Sequence, residues 1–277
     1  MLTTIASSNK SLYHEGAVWL PKSKEIFVTS DRLRVKGSVK VKMHCVNIYT
    51  GVSREIIGKP EILMANGACI DGKDKIAVCY QGKDDINGGI TLLDPYSGKN
   101  MDIIENIHNS PNDVVFNIED TGFWFTDPSY GFDQGFRNKK VAPEAIYYSD
   151  AHGNVKMVYM EGDDSRPNGL AISPDGSILY YGETGISNSV YSFSINKDFT
   201  LSRKKLLYTS KSGIPDGIKC DREGNLMIAD GEGVVVISPD GVKKRVIEVE
   251  GGVVQLELCD DYLVLLCNRK LLKLKYY

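Results

Sequence analysis

The chain lacks several things that would each point to a function. No apolar run approaches the ~20 residues a membrane-spanning helix needs; the longest, such as Val234-Val235-Val236-Ile237, are strand length. Residues Met1 to Tyr13 show no basic region followed by an apolar stretch, so no secretory leader is expected. The six cysteines form no C-x-x-C pair, and several alternate with apolar residues, as in Cys69-Ile70 and Leu258-Cys259. They read as small buried hydrophobes of a reducing, cytoplasmic compartment rather than as a disulfide or zinc-thiolate framework. Basic clusters are small (Lys36 to Lys42, Lys139-Lys140, Lys243 to Arg245) and the net charge is −3. A nucleic-acid surface is therefore not expected. There is no G-x-S-x-G elbow, H-E-x-x-H, P-loop or G-x-G-x-x-G, which removes the serine-nucleophile, zincin and dinucleotide readings. Helical periodicity and heptads are also missing, so no helix marks a protein partner and the default state is a monomer.

What is present is an internal repeat within 277 residues that are 42% apolar and 25% charged. Copies begin at Glu15, Asn66, Asn112, Asn168, Asp216 and Gln255, roughly 40 to 55 residues apart, the length of a propeller blade. Each copy opens with a polar residue, usually followed by Gly. An alternating apolar stretch, a turn rich in Asp, Gly, Pro or Lys, and a second apolar stretch follow. Alternation at period two is the strand signal. Ser-Pro-Asp-Gly at 173–176 and 238–241 supplies turn chemistry. A later strand pair, such as Gly89 to Asp94 or Val190 to Phe193, brings the count to about four strands per copy. The expected fold is all-β, a six-bladed β-propeller with a central metal-binding channel, spanning 1–277 as one domain. The last copy offers only three strands, from Gln255 to Lys275. Leu2 to Ala6 is expected to supply the fourth and close the ring.

In a radial array the first residue of every copy meets at one end of the channel. Glu15, Asn66, Asn112, Asn168, Asp216 and Gln255 all carry a side-chain oxygen acceptor. Crowded lone pairs and two carboxylates need compensation. One divalent cation supplies it, and all-oxygen ligands suit Ca²⁺, Mg²⁺ or Mn²⁺ better than Zn²⁺. No histidine begins a copy. His14, one residue before Glu15 on an extended strand, is expected to point away from the ring. His108, before Asn112, could reach the pocket mouth. His152 reads as a turn residue, and His44 sits on a strand without an evident task.

These residues resemble the gluconolactonase family, also called the SMP-30, regucalcin or luciferin-regenerating-enzyme-like family. The matching motifs are His14-Glu15-Gly16-Ala17-Val18-Trp19, Ser110-Pro111-Asn112-Asp113-Val114-Val115, Arg166-Pro167-Asn168-Gly169-Leu170-Ala171, and Pro215-Asp216-Gly217. Phe125-Thr126-Asp127-Pro128-Ser129-Tyr130-Gly131 is similar to the microbial and fungal lactonohydrolases. The resemblance implies a six-bladed propeller that hydrolyses a sugar lactone or related ester, so the partner expected is a small-molecule lactone. It implies Glu15, Asn168 and Asp216 as metal ligands, with Ca²⁺ foremost, and Asn112 as a contact to substrate or water. Asn66 and Gln255 then remain structural members of the repeat. Tyr130 and Asp127, in the loop after the third copy's inner strands, are expected to help line the pocket. Asp216 is the expected general base, with Glu15 the alternative. Some members place an Arg two residues before the substrate-facing Asn; here that position is Ser110. Two other readings stand beside this one: a strictosidine-synthase-like propeller enzyme, and a non-catalytic calcium-binding propeller.

Overall fold

In the computed structural model, which describes residues 1–107, 109–141, 143–162 and 164–277, each repeat folds into one four-stranded antiparallel sheet. Five blades are continuous in sequence. They occupy residues 15–56, 65–107, 114–159, 167–209 and 218–248. The sixth combines Gln255–Cys259, Tyr262–Cys267 and Lys270–Lys275 with Thr3–Ser7, which pairs antiparallel along Lys270–Lys275, from Thr3 opposite Lys273 to Ser7 opposite Lys270. The N-terminal segment closes the ring as expected, one residue further along than the sequence suggested.

Period-two alternation weakens in the middle strands, for a packing reason. Gly122–Asp127 and Leu226–Asp230 are buried at every residue. A middle strand presents one face to each neighbouring blade, so both faces are apolar. Six buried apolar clusters fill these seams. Val18, Phe27 and Cys45 of blade one meet Ala68, Ile76 and Val78 of blade two. Ile26, Val28 and Val46 meet Val264, Leu266 and Leu271 of blade six on the other side. Outer strands such as Lys243–Glu248 are mostly exposed and charged.

Two additions interrupt the repeat. Leu33–Val35 and Ser38–Lys40 form a small hairpin between the second and third strands of blade one. Tyr130–Asp133 is a single helical turn in blade three, where the sequence suggested only a loop. The six cysteines are free; Cys45, Cys79 and Cys259 are buried. No helix among the described residues is long and apolar enough to cross a membrane. His108 lies outside the described residues.

Candidate active site

The polar residue that opens each repeat stands at the start of an inner strand, and the glycine after it explains why the blades can converge there. A Cβ on Gly67 would lie 2.3 Å from the Asn112 carbonyl oxygen, and one on Gly169 would lie 2.3 Å from that of Asp216. Gly16 stands likewise 2.9 Å from the Asn66 carbonyl, at a φ of +69° that L side chains rarely adopt. On Gly217 the added atom would strike the Gln255 side chain. Glycine therefore lets one blade's opening residue close on the next.

The result is a cavity of about 240 Å³ lined by Glu15, Asn66, Asn112, Asn168 and Asp216, with Tyr130 beside them. Five of the six repeat-opening residues face it. Gln255 does not: it is buried behind Glu15, donates through Nε2 to Glu15 Oε2 at 3.1 Å, and accepts Leu256 N–H at 2.9 Å. It orients a carboxylate rather than lining the pocket.

Glu15 and Asp216 are neighbours at this cavity, and each bears on the other's protonation. Burial, then the charge of Asp216 and of Asp113, pushes the Glu15 carboxyl well above its ordinary range. Burial also raises Asp216, opposed by the charge of His14 and by Asn168. Asn168 donates through Nδ2 to Asp216 Oδ1 at 2.8 Å and to the Tyr130 hydroxyl at 3.3 Å. Two buried carboxyls side by side cannot both carry unrelieved charge; a shared proton or a cation resolves the conflict. Among the described residues no three of His, Cys, Asp or Glu gather as a metal-binding group. Among the repeat-opening residues that face the cavity, two are carboxylates, Glu15 and Asp216, and three are amides.

The Tyr130 turn is held by a network to which no role was assigned from the sequence. Arg166 Nε donates to Asp133 Oδ2 at 2.8 Å, and its Nη1 pairs with the buried Glu144. Glu144 in turn accepts Ser129 N–H at 2.8 Å. The Tyr130 hydroxyl meets Thr184 Oγ1 in blade four. Ser110 is buried, and its Oγ accepts Gly131 N–H at 2.8 Å, pinning the same turn from below.

Two expectations are corrected. His14 lines the cavity instead of facing away. It precedes strand Glu15–Leu20, whose register is broken between Glu15 and Val18, so strict alternation does not govern it; Nδ1 meets Asn268 Oδ1 at 2.9 Å. Asp127 is 1% exposed and does not line the cavity. Among the described residues its Oδ1 has no hydrogen-bond partner, and burial pushes its carboxyl up to about 8 against the lowering influence of the Ser110 and Asn109 backbone N–H groups. His152 sits in a turn, its N–H on Asp150 Oδ1 at 2.8 Å, as expected. His44 is buried with Nε2 unpartnered. Cavity residues missed by the sequence include Asp31, Arg32, Gln81 and Gln134. None begins a repeat, so no periodic signal marks them.

Comparison with known proteins agrees with this architecture. Residues 15–254 match the family model described as SMP-30/Gluconolactonase/LRE-like region. The chain is 30% identical over 267 residues to the lactonohydrolase oryL of Aspergillus oryzae, covering 82% of this chain and 59% of that protein. It is 28% identical over 192 residues to a gluconolactonase of Zymomonas mobilis, covering 64% and 52%. The chain thus spans somewhat over half the length of these curated relatives. A gluconolactonase structure from Xanthomonas campestris superposes with a TM-score of 0.82 at 22% identity, over 99% of this chain and 88% of the other. Regucalcin from Agrobacterium tumefaciens, a calcium-binding protein, superposes with a TM-score of 0.71 at 18% identity, over 98% and 92%. The chain belongs to the SMP-30/gluconolactonase/LRE-like family.

Proposed function

We propose that this chain is a single propeller domain that hydrolyses a lactone with the help of one divalent cation. The observation that carries the reading is the pair Glu15 and Asp216, both buried at one cavity, where only the charge of His14 opposes the rise of the Asp216 carboxyl among cationic groups. The donor set fits a hard cation. Glu15 and Asp216 give carboxylate oxygens. Asn168 spends its amide nitrogen on Asp216 and Tyr130, which leaves Oδ1 as its ligand atom. Ca²⁺ is the first candidate, followed by Mn²⁺, Mg²⁺ and Zn²⁺. When bound, the cation neutralises the two carboxylates and offers positive charge to the lactone carbonyl oxygen.

The chain's own groups supply the rest. Asn112 and Tyr130, which line the same cavity as Glu15, contact the substrate or the attacking water. Water adds to the carbonyl carbon and gives one proton to Asp216, the general base. On collapse the ring C–O bond breaks, and the alkoxide takes that proton back. The product is a hydroxy acid, which releases one proton to solvent at neutral pH. Asn168 fixes the Asp216 carboxylate through Oδ1, leaving Oδ2 for proton transfer. Gln255 does the same for Glu15.

The test is proton release in a pH-stat with aldonolactones, aromatic lactones and aryl esters, after EDTA and after return of each cation. Hydrolysis lost with the metal and restored by one of the four is expected. Hydrolysis that persists after demonstrated metal removal contradicts the proposal, and no hydrolysis with any cation favours a binding propeller.

A further inference from the structure

From Arg32 to Lys42 the sequence carries five cations and no carboxylate, in a chain whose net charge is −3. This segment is the hairpin inserted into blade one, and it stands at the cavity. Arg32 lines the same cavity as Glu15, Asn112 and Asp216. Lys40 and Lys42 are already committed, to Glu61 and Glu55 at 2.8 Å each. Lys83 ties the hairpin down, with Nζ on Ser38 Oγ at 2.6 Å and on the Val39 carbonyl at 3.2 Å. The base of the segment is closed by Ser30 N–H on the Lys42 carbonyl at 2.8 Å and Lys42 N–H on Ser30 Oγ at 2.9 Å.

Arg32 is held differently from those lysines. Asp31 Oδ1 accepts its backbone N–H at 2.6 Å and its Nε–H at 3.0 Å. That fixes the stem and the plane of the guanidinium while using one of its five donors. Among the described residues Nη1 and Nη2 have no hydrogen-bond partner, and the side chain keeps 34% of its exposure. A planar fork fixed at one end and open at the other is the geometry that takes a carboxylate through two parallel bonds. Lysine-type point charge would not select this shape.

We infer that Arg32 is a specificity residue that binds an acidic group on the substrate, so that the preferred lactones carry a carboxylate away from the ring carbonyl. This rests on the lactone reading above and adds the substrate class to it. Besides Arg32 the described lining holds His14, amides, hydroxyls, carboxylates and three apolar residues, so Arg32 is its one guanidinium, and a neutral polyol lactone would offer that fork no charged partner.

A matched pair of probes tests the inference: D-glucono-1,4-lactone and D-glucaro-1,4-lactone, which differ in a CH₂OH or a carboxylate at C6. Hydrolysis is measured in a pH-stat for the parent, Arg32→Gln and Arg32→Lys. In parallel, calorimetry measures binding of both probes at low temperature to Asp216→Asn chains with and without Arg32→Gln. The parent should favour the acidic lactone. The ratio of kcat/KM values, acidic over neutral, should fall roughly 10- to 100-fold in Arg32→Gln, the size of a charge-assisted pair, and recover in part in Arg32→Lys. A ratio that does not change on substitution overturns the inference even if both lactones are hydrolysed. If neither is hydrolysed with any cation, the hydrolase reading fails, and binding still decides for Arg32: an acidic preference lost in Arg32→Gln supports it, and equal binding of both probes overturns it.

Discussion

Replacing Gly169 by Ala should damage the site more than the fold. An added Cβ would lie 2.3 Å from the Asp216 carbonyl oxygen and 3.2 Å from Ile218 N, both backbone atoms that no rotamer change can move. Ordinary contact begins near 3.4 Å, so the two inner strands must part by about 1 Å. Asp216 has little room to yield, because its N–H bonds the Ala229 carbonyl at 3.1 Å and Gly217 N–H bonds the Val254 carbonyl at 2.9 Å. Overpacking of this kind costs about 1–3 kcal/mol, or a melting-temperature loss of roughly 2–12 °C at this chain length. The same displacement pulls Asn168 from Asp216, which are joined at 2.8 Å. A misplacement near 1 Å costs about 10²-fold in turnover. Gly162→Ala is the control, since nothing stands within 4 Å of its added Cβ. Calorimetric melting, lactone hydrolysis and cation affinity should all fall in Gly169→Ala and stay at parental values in Gly162→Ala. A Gly169→Ala chain with parental melting and turnover, or an equal loss in both variants, refutes the close-approach account of the repeat.

Three further perturbations separate the remaining claims. Glu15→Gln keeps an acceptor for Gln255 and removes one of two facing charges; metal-free, it should melt above the parent at pH 8. It should also lack the cation-induced gain, which for the parent is about 2.7 kcal/mol at a cation concentration of 100 Kd; a full gain in the variant would count against Glu15 as a ligand. Asp127, pushed up to about 8 by burial, holds a proton in the folded chain that the unfolded chain releases near 3.9. Its contribution is therefore full below about pH 4 and declines by up to about 1.4 kcal/mol per unit as pH rises towards 8; Asp127→Asn should flatten denaturation free energy over that window, and parallel curves for the two chains would refute the assignment. Deleting residues 1–8 removes Thr3–Ser7 from blade six and bares the edge of Lys270–Lys275; thermal melting should drop markedly, and an unchanged transition would show that the ring does not need this strand.

The fold was legible because a repeat leaves its mark in every copy. The polar-then-Gly opening, the Ser-Pro-Asp-Gly turns and the short sixth copy together defined six blades and the strand that closes them. The same logic put Glu15, Asn112, Asn168 and Asp216 together at one cavity, since equivalent positions must converge. It could not separate Gln255 from the others, because whether an opening residue faces the cavity or supports its neighbour depends on packing behind Glu15. Arg32, Asp31 and Gln134 stand on insertions or between repeats, where no periodicity operates. Arg166 was visible within a motif, yet its task became clear only once Asp133 and Glu144, distant in sequence, were seen to meet it. His14 was misplaced by the assumption of a regular strand where the register breaks, and Asp127 by its assignment to a loop, whereas it ends the strand Gly122–Asp127 with its side chain buried.

Departures from the repeat also explain how a nearly symmetric fold makes an asymmetric site. Four blades follow their opening residue with Gly, at 16, 67, 169 and 217, but blade three has Asp113. There the junction is made by side chains: Thr126 Oγ1 donates to the Asn168 carbonyl at 3.0 Å, and Asp113 Oδ2 accepts Leu170 N–H at 2.9 Å. Asp113 also accepts Val114 N–H at 2.9 Å, and burial still raises its carboxyl to about 6. A third acid near Glu15 and Asp216 would deepen the charge conflict if it stood alone. Lys219, on the inner strand of blade five, opposes that field, and it pairs with Glu257 of blade six at 3.1 Å. The three acids are therefore set against one ammonium inside the ring, and the cation of the proposed site would be the second. Identical blades could not set one ammonium against three acids. The glycines hold the ring together, and the blades that break their pattern make its site asymmetric.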